Sequence, residues 1–279
     1  MQNGRIRIAV VAPASRLPPQ TAEQVLALAR RLYGDQAPEI VFHPQCFATS
    51  GHFAGDDALR SQALVEVAND ATFDAVWFAR GGYGSNRVAE AAIARMGPAA
   101  RAKAWLGYSD IGFLLAGFYR AGFPHVAHGP VAQDIRREGG EAAAARALAW
   151  LTTREAAALE PSLEPGVKAA AFNITVLSQL LGTGLEPDLS GHVLMLEEVS
   201  EAMYRIDRAL FHITSQPAIR RVAGLRLGRC SAISLNDPDF GLDEVAVAKL
   251  WCERSGIPWL GRADIGHDAG NRVVPFGGL

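Results

Sequence analysis

Short apolar runs alternate with stretches of helical period through the first half of the chain, and this rhythm constrains the fold more than any other feature. Residues 5–12 read as a strand rich in β-branched side chains. Residues 21–33 place Val25, Leu28, Ala29 and Leu32 on one helical face, with Thr21 as the expected N-cap. A short strand over 40–43 and a helix over 56–69, bearing Leu59, Ala63 and Val67, follow. Residues 74–79 form a buried strand, 87–95 a helix, 104–107 a strand and 110–120 a helix. Such units build an α/β parallel sheet covered on both faces. Arg5 and Arg7 ahead of residues 8–12 imitate a short signal peptide, but the run is brief and Pro13 interrupts it. A buried first strand is the better reading.

The rhythm changes at residues 139–170, where an alanine-rich helix over 141–151 gives way to a Pro- and Gly-bearing linker over 161–166. Beyond it come expected strands at 191–197, 222–229, 232–235 and 258–260, and helices at 204–215 and 243–255. Two domains follow, residues 1–155 and 166–279, and a chain that is 49% hydrophobic can fill two cores. A net charge of −2 supplies no general attraction to nucleic acid or a membrane surface. No apolar run approaches the roughly 20 residues of a membrane span. Cys46, Cys230 and Cys252 are far apart with no C-x-x-C, so free thiols in a reducing compartment are expected rather than disulfides or a zinc site. His125 and His128 lack the H-E-x-x-H pattern and follow Pro124, which argues against a helical metal site. The arginines at 220, 221, 226 and 229 have no interleaved aromatics and read as a salt-bridged face.

In open parallel sheets, ligands bind beyond the carboxyl ends of the strands. Two loops fall there. Arg80-Gly81-Gly82-Tyr83-Gly84 follows a buried strand, and its glycines suit either a backbone anion site or an ordinary turn. It matches neither G-x-G-x-x-G nor a Walker loop, so no nucleotide cofactor is implied. In Gly107-Tyr108-Ser109-Asp110-Ile111, Ser109 sits at a strand–turn–helix corner. That corner fits a nucleophile elbow, although Ile111 replaces the second glycine of G-x-S-x-G; it also fits a helix N-cap. A serine nucleophile needs a base and a group to orient that base. Of seven histidines, His267 stands out because it lies in a polar, glycine-rich loop, where catalytic side chains are readily presented. The strand Leu194-Met195-Leu196 ends in Glu197 and Glu198, of which alternation lets only one face a shared cleft. Read alone, the pair also fits a solvated strand end.

The ordered motifs are Ile8 through Ser15, Gly51 through Gly55, Ala79 through Gly84, Gly107 through Ile111, His128-Gly129-Pro130, Leu196-Glu197-Glu198, Tyr204 through Arg208, and Gly266-His267. Together they resemble the serine LD-carboxypeptidase family, which includes the muramoyl-tetrapeptide carboxypeptidases and the microcin C immunity peptidases. The resemblance implies an N-terminal Rossmann-like α/β domain, a C-terminal domain with a small β-barrel-like core, an active site between the domains, a homodimer and a cytoplasmic location. It implies Ser109 as nucleophile, His267 as base and Glu197 as acid, with Glu198 the second choice. The backbone N–H groups of Asp110 and Gly82 are the implied oxyanion hole, without metal or cofactor. The implied substrate is a murein tetrapeptide losing its terminal D-alanine. Arg80 and Arg205 are candidates for its free carboxylate. An immunity-type hydrolase of aminoacyl-adenylate amides and a non-catalytic ligand-binding protein are the alternatives.

Overall fold

The computed structural model describes residues 5–278. Its first half places strands β1 (Arg7–Val11), β2 (Glu39–Phe42), β3 (Ala75–Phe78), β4 (Ala104–Gly107) and β5 (Val126–His128) in one parallel sheet. Between and after them run helices α1 (Pro19–Tyr33), α2 (Asp57–Asn69), α3 (Asn86–Ile93), α4 (Pro98–Ala102), α5 (Gly112–Arg120) and α6 (Gly140–Thr153). Every residue of β3 and β4 is buried, as strands covered by helices on both faces must be. These neighbours pair Ala75 with Ala104 and Trp77 with Leu106, so the loops leaving their carboxyl ends lie side by side. Asp56 caps α2 by accepting from the Leu59 N–H at 2.8 Å. Thr21 is not a cap: α1 starts at Pro19, whose fixed φ suits the first turn, and Thr21 is buried two residues further in.

The second half is also α/β. Strands β6 (Ala169–Asn173), β7 (Val193–Val199), β8 (Gly224–Ser231) and β9 (Trp259–Arg262) form a parallel sheet in that order. Helices α7 (Ile174–Leu180), α8 (Met203–Ser215) and α9 (Glu244–Ser255) occupy the crossovers that parallel strands require. The core expected to be barrel-like is therefore an open sheet, with β6 and β9 at its edges. Residues 232–235 make no strand; Ser234 forms one isolated bridge to Ala202, and Leu235 is fully exposed.

Strand β10 (Val274–Pro275) returns to the first sheet and pairs antiparallel with β5, Val274 opposite His128. The segment between the two sheets is anchored as well. Leu159 bridges Val273, and the buried Glu160 accepts from the N–H groups of Ser162 and Asp264. One apolar cluster runs from Phe78 and Trp105 through α5 to Phe172, Leu177 and Leu210, joining the two sheets. Cys46, Cys230 and Cys252 are free; burial pushes the Cys46 thiol up to about 12 and Cys252 to about 11, which keeps them unreactive.

Candidate active site

Ser109 leaves the end of β4 with φ of 63°, a left-handed conformation rarely adopted by a residue with a Cβ. Such backbone costs about 1–3 kcal/mol and persists only where its surroundings impose it. The side chain caps no helix: Ser109–Ile111 is a 3-10 turn leading into α5, and the hydroxyl points instead at His267. The neighbouring Gly81 explains how the serine fits, because a Cβ there would sit 2.9 Å from the Ser109 Cβ and 3.0 Å from its Oγ. Gly82 has φ of 101° and lies against Ser15, whose hydroxyl meets His52 Nε2 at 3.2 Å. The glycine turn is tied to the serine corner by Asp110, whose carboxylate accepts from the N–H groups of Gly84 at 3.2 Å and Ser85 at 2.8 Å. Burial raises the Asp110 carboxyl, and these donors partly offset that rise.

The histidine that meets Ser109 and the carboxylate that meets that histidine come from the second half. A shift of register between Leu196 and Glu198 lets β7 end in two buried carboxylates rather than a solvated pair. Glu197 Oε2 meets His267 Nδ1 at 2.6 Å, and His267 Nε2 meets Ser109 Oγ at 3.0 Å. Glu198 turns the other way, accepting from Asn173 Nδ2, the Val199 N–H, and the Thr175 N–H and hydroxyl. With an ionised carboxylate at Nδ1, that nitrogen carries the proton and Nε2 is left as acceptor toward the serine hydroxyl. Burial disfavours a charged His267 ring, but attraction to Glu197 and the hydrogen bond outweigh it, so its pKa lies above 6.5.

Ser109 and His267 open onto a cleft of about 670 Å³ lined also by Arg80, Gly82, Arg136 and Arg137, with Glu197 buried behind the ring. Arg80 and Arg136 are exposed and, among the described residues, have no acidic partner within salt-bridge distance. Arg205 is not brought there. It pairs with Glu201 at 3.4 Å near the start of α8 and lines a separate cavity of about 310 Å³ with Arg208 and His212. Sequence reasoning missed Tyr108, Asp134 and Arg137, which meet beside His267, and the buried pair His128–Asn271, whose amide oxygen accepts from the Gly266 N–H. The one signal was local: Asp134 and Arg137 have the spacing of a helical ion pair. The basic run near residue 226 is absorbed by structure, since Arg229 pairs with Asp264 and Asp268 while Arg226 donates to the Leu260 carbonyl. Among the described residues no three His, Cys, Asp or Glu side chains are grouped to hold a metal ion, and no helix is long and apolar enough to cross a membrane.

A hydroxyl, an imidazole and a carboxylate in this chain of contacts can activate the hydroxyl as a nucleophile toward a carbonyl. Comparison with known proteins agrees in fold and family. The structure superposes on muramoyltetrapeptide carboxypeptidase from Oxalobacter formigenes with a TM-score of 0.79 at 24% identity, over 96% of this chain and 93% of that one. It superposes on the microcin C7 self-immunity protein MccF with a TM-score of 0.78 at 16% identity, over 98% of this chain and 91% of that one. The murein tetrapeptide carboxypeptidase of Pseudomonas aeruginosa is 27% identical, over 97% of this chain and 91% of its own. Residues 8–129 match the LD-carboxypeptidase N-terminal domain and residues 169–279 its C-terminal domain. The chain belongs to the LD-carboxypeptidase family.

Proposed function

We propose that this protein is a serine carboxypeptidase that removes the terminal D-alanine from murein tetrapeptides. The observation that carries the reading is the continuous contact from Glu197 through His267 to Ser109, 2.6 Å and 3.0 Å, at the wall of an arginine-lined cleft. Ser109 Oγ attacks the carbonyl carbon of the last peptide bond while His267 Nε2 takes its proton. Glu197 holds the ring's tautomer and stabilises the imidazolium. The negative oxygen so formed is received by the N–H groups of Gly82 and Asp110, neither of which has an acceptor among the described residues. Each such donor contributes about 3 kcal/mol to stabilising the transition state. Collapse expels D-alanine, whose amine receives the proton from His267, and leaves the tripeptide esterified to Ser109. Water then attacks that ester with His267 again as base. Arg80, at the cleft and without an acid partner among the described residues, is the natural contact for the substrate's free carboxylate; Arg205 lies in the other cavity.

In this reading the unit of residues 1–155 carries nucleophile and oxyanion donors, and that of 166–279 carries acid and base. We further place the enzyme in the cytoplasm as a homodimer, in keeping with cell-wall recycling and the resemblance of its motifs.

An immunity-type hydrolase of aminoacyl nucleotides needs an aromatic platform for the base. Trp150 is the one aromatic over residues 150–168, and it is buried under the Arg154 guanidinium, 4.2 Å from the ring centroid. A purely ligand-binding protein has no need of a strained serine aligned with a histidine. Turnover of a murein tetrapeptide and of an aminoacyl sulfamoyl nucleoside, measured side by side, tests the assignment. Release of D-alanine at a rate at least about tenfold above cleavage of the nucleoside supports it; the reverse ratio sinks it.

A further inference from the structure

We propose that Arg137 is a positioning residue, whose guanidinium locks the backbone of the His267 loop to the strand–turn corner that carries Ser109. The proposal rests on Ser109 and His267 acting as nucleophile and base, and not on which peptide is cleaved.

Ser109 and His267 are 158 positions apart; Ser109 follows β4 of the first sheet, and His267 lies in the loop running from β9 of the second sheet to β10 of the first, so their 3.0 Å contact depends on how the two sheets dock. Arg137 spans that junction. Its Nε donates to Asp134 Oδ1 at 2.8 Å, one Nη to the His267 carbonyl at 2.6 Å, and the other Nη to the Tyr108 hydroxyl at 3.4 Å. Tyr108 directly precedes Ser109, and its own hydroxyl donates to the same Asp134 oxygen at 3.0 Å. The second oxygen of Asp134 accepts from the Val131 N–H at 3.0 Å, which fixes a carboxylate that is 2% exposed. Its ring also packs on the base, with the Tyr108 and His267 centroids 4.8 Å apart. One buried carboxylate thus organises a tyrosine beside the nucleophile and an arginine on the peptide of the base. Glu197 holds the imidazole from the second sheet; Arg137 holds its backbone from the first.

Other contacts secure the loop without touching the His267 peptide, such as Arg146 Nε to the Asn271 carbonyl at 3.1 Å. A substrate-binding role fits Arg137 less well than it fits Arg80 or Arg136, because the Arg137 charge is already matched by Asp134. The planar fork is the working feature, since a lysine ammonium cannot reach three acceptors in that arrangement.

Replacement by lysine separates geometry from charge. The charged and titratable groups facing His267 are Glu197 from β7, Asp134 and Arg137 from the turn after β5, His128 on β5, and Tyr108 after β4. Arg137→Lys keeps the positive charge among them, whereas Arg137→Ala removes it. The test measures the rate of Ser109 labelling by a small fluorophosphonate, which requires the serine and base but no murein chemistry, together with kcat and KM on the tetrapeptide. Both variants are expected to label at least about tenfold more slowly and to lose kcat by a similar factor, with KM within about twofold. The acid limb of the pH profile should stay in place for lysine and move to higher pH for alanine, because the Arg137 charge opposes protonation of His267. Wild-type labelling rates in both variants overturn the proposal. So does full recovery by lysine, which would make charge rather than the fork the active feature, and so does a rise in KM at unchanged kcat. Normal labelling by wild-type protein that cleaves no tetrapeptide would sink the substrate reading and leave the Arg137 comparison valid.

Discussion

Local pattern singled out Ser109 at a strand–turn–helix corner, His267 in a glycine-rich loop and an acid at a strand end, but it fitted a helix N-cap and a solvated strand end as well, and the triad roles came from the family resemblance. It also left open which of two adjacent carboxylates faces the ring. The register shift beside Glu197 turns that residue to His267 and Glu198 to Asn173 and Thr175. Glu197→Gln is therefore expected to lower kcat on the order of 10⁴-fold, because the amide no longer stabilises the imidazolium. Glu198→Gln is expected to cost less than about tenfold, since an amide still accepts one of its hydrogen bonds. Equal losses in steady-state kinetics would contradict the assignment. Proton linkage gives a second check. In the proposed mechanism His267 accepts the proton only when neutral, and its pKa is raised, so kcat/KM should fall as pH drops through a value above 6.5. In Glu197→Gln that limb should move down, because the attraction holding the proton is gone. For stability the sign is opposite: the stabilisation from protonated His267 is full below 6.5 and is lost as pH rises through the folded-state value.

Among elements, the parallel strands and their helices were legible because period and burial agree; β4 spans 104–107 as expected. The elements that escaped are short or atypical. Strand β6 is alanine-rich, and β10 is a two-residue strand containing a proline, so neither carries a β-branched alternation. Yet β10 pairs with β5 seven residues after His267, and β5 contributes His128, which is 1% exposed and held by Asn271 at 3.3 Å. Burial pushes His128 down to about 3, so it is neutral in the fold while the unfolded chain titrates at 6.5. Its contribution is then present above 6.5 and is lost as pH falls from there toward about 3, at about 1.4 kcal/mol per unit. Between pH 6.5 and pH 5 this amounts to about 2 kcal/mol. Urea unfolding at pH 7 and pH 5 should show wild type losing about that much more than His128→Gln, which keeps a donor for Asn271 but does not titrate. The same loss in both proteins would place the acid sensitivity elsewhere.

At the scale of the whole molecule, the change of rhythm at residues 139–170 led to an expectation of two domains, whereas nothing in the sequence pattern announced the docking of the two sheets. The continuous apolar cluster across α5, the return of β10, and the Arg137 and Arg146 contacts are made by residues far apart in sequence with no periodic signature. Arg205 shows the limit of motif reasoning: it lies in the Tyr204–Arg208 motif but lines a different cavity from Ser109. The docking matters chemically: it brings a strained serine from one half against an imidazole and carboxylate from the other. D-Alanine released from a murein tetrapeptide, quantified for wild type and Ser109→Ala under matched conditions, probes that union directly. Wild type should liberate one D-alanine per tetrapeptide and leave the tripeptide, with the variant slower by at least about 10³-fold. Release by Ser109→Ala within about tenfold of wild type would show that the bond is broken without the serine.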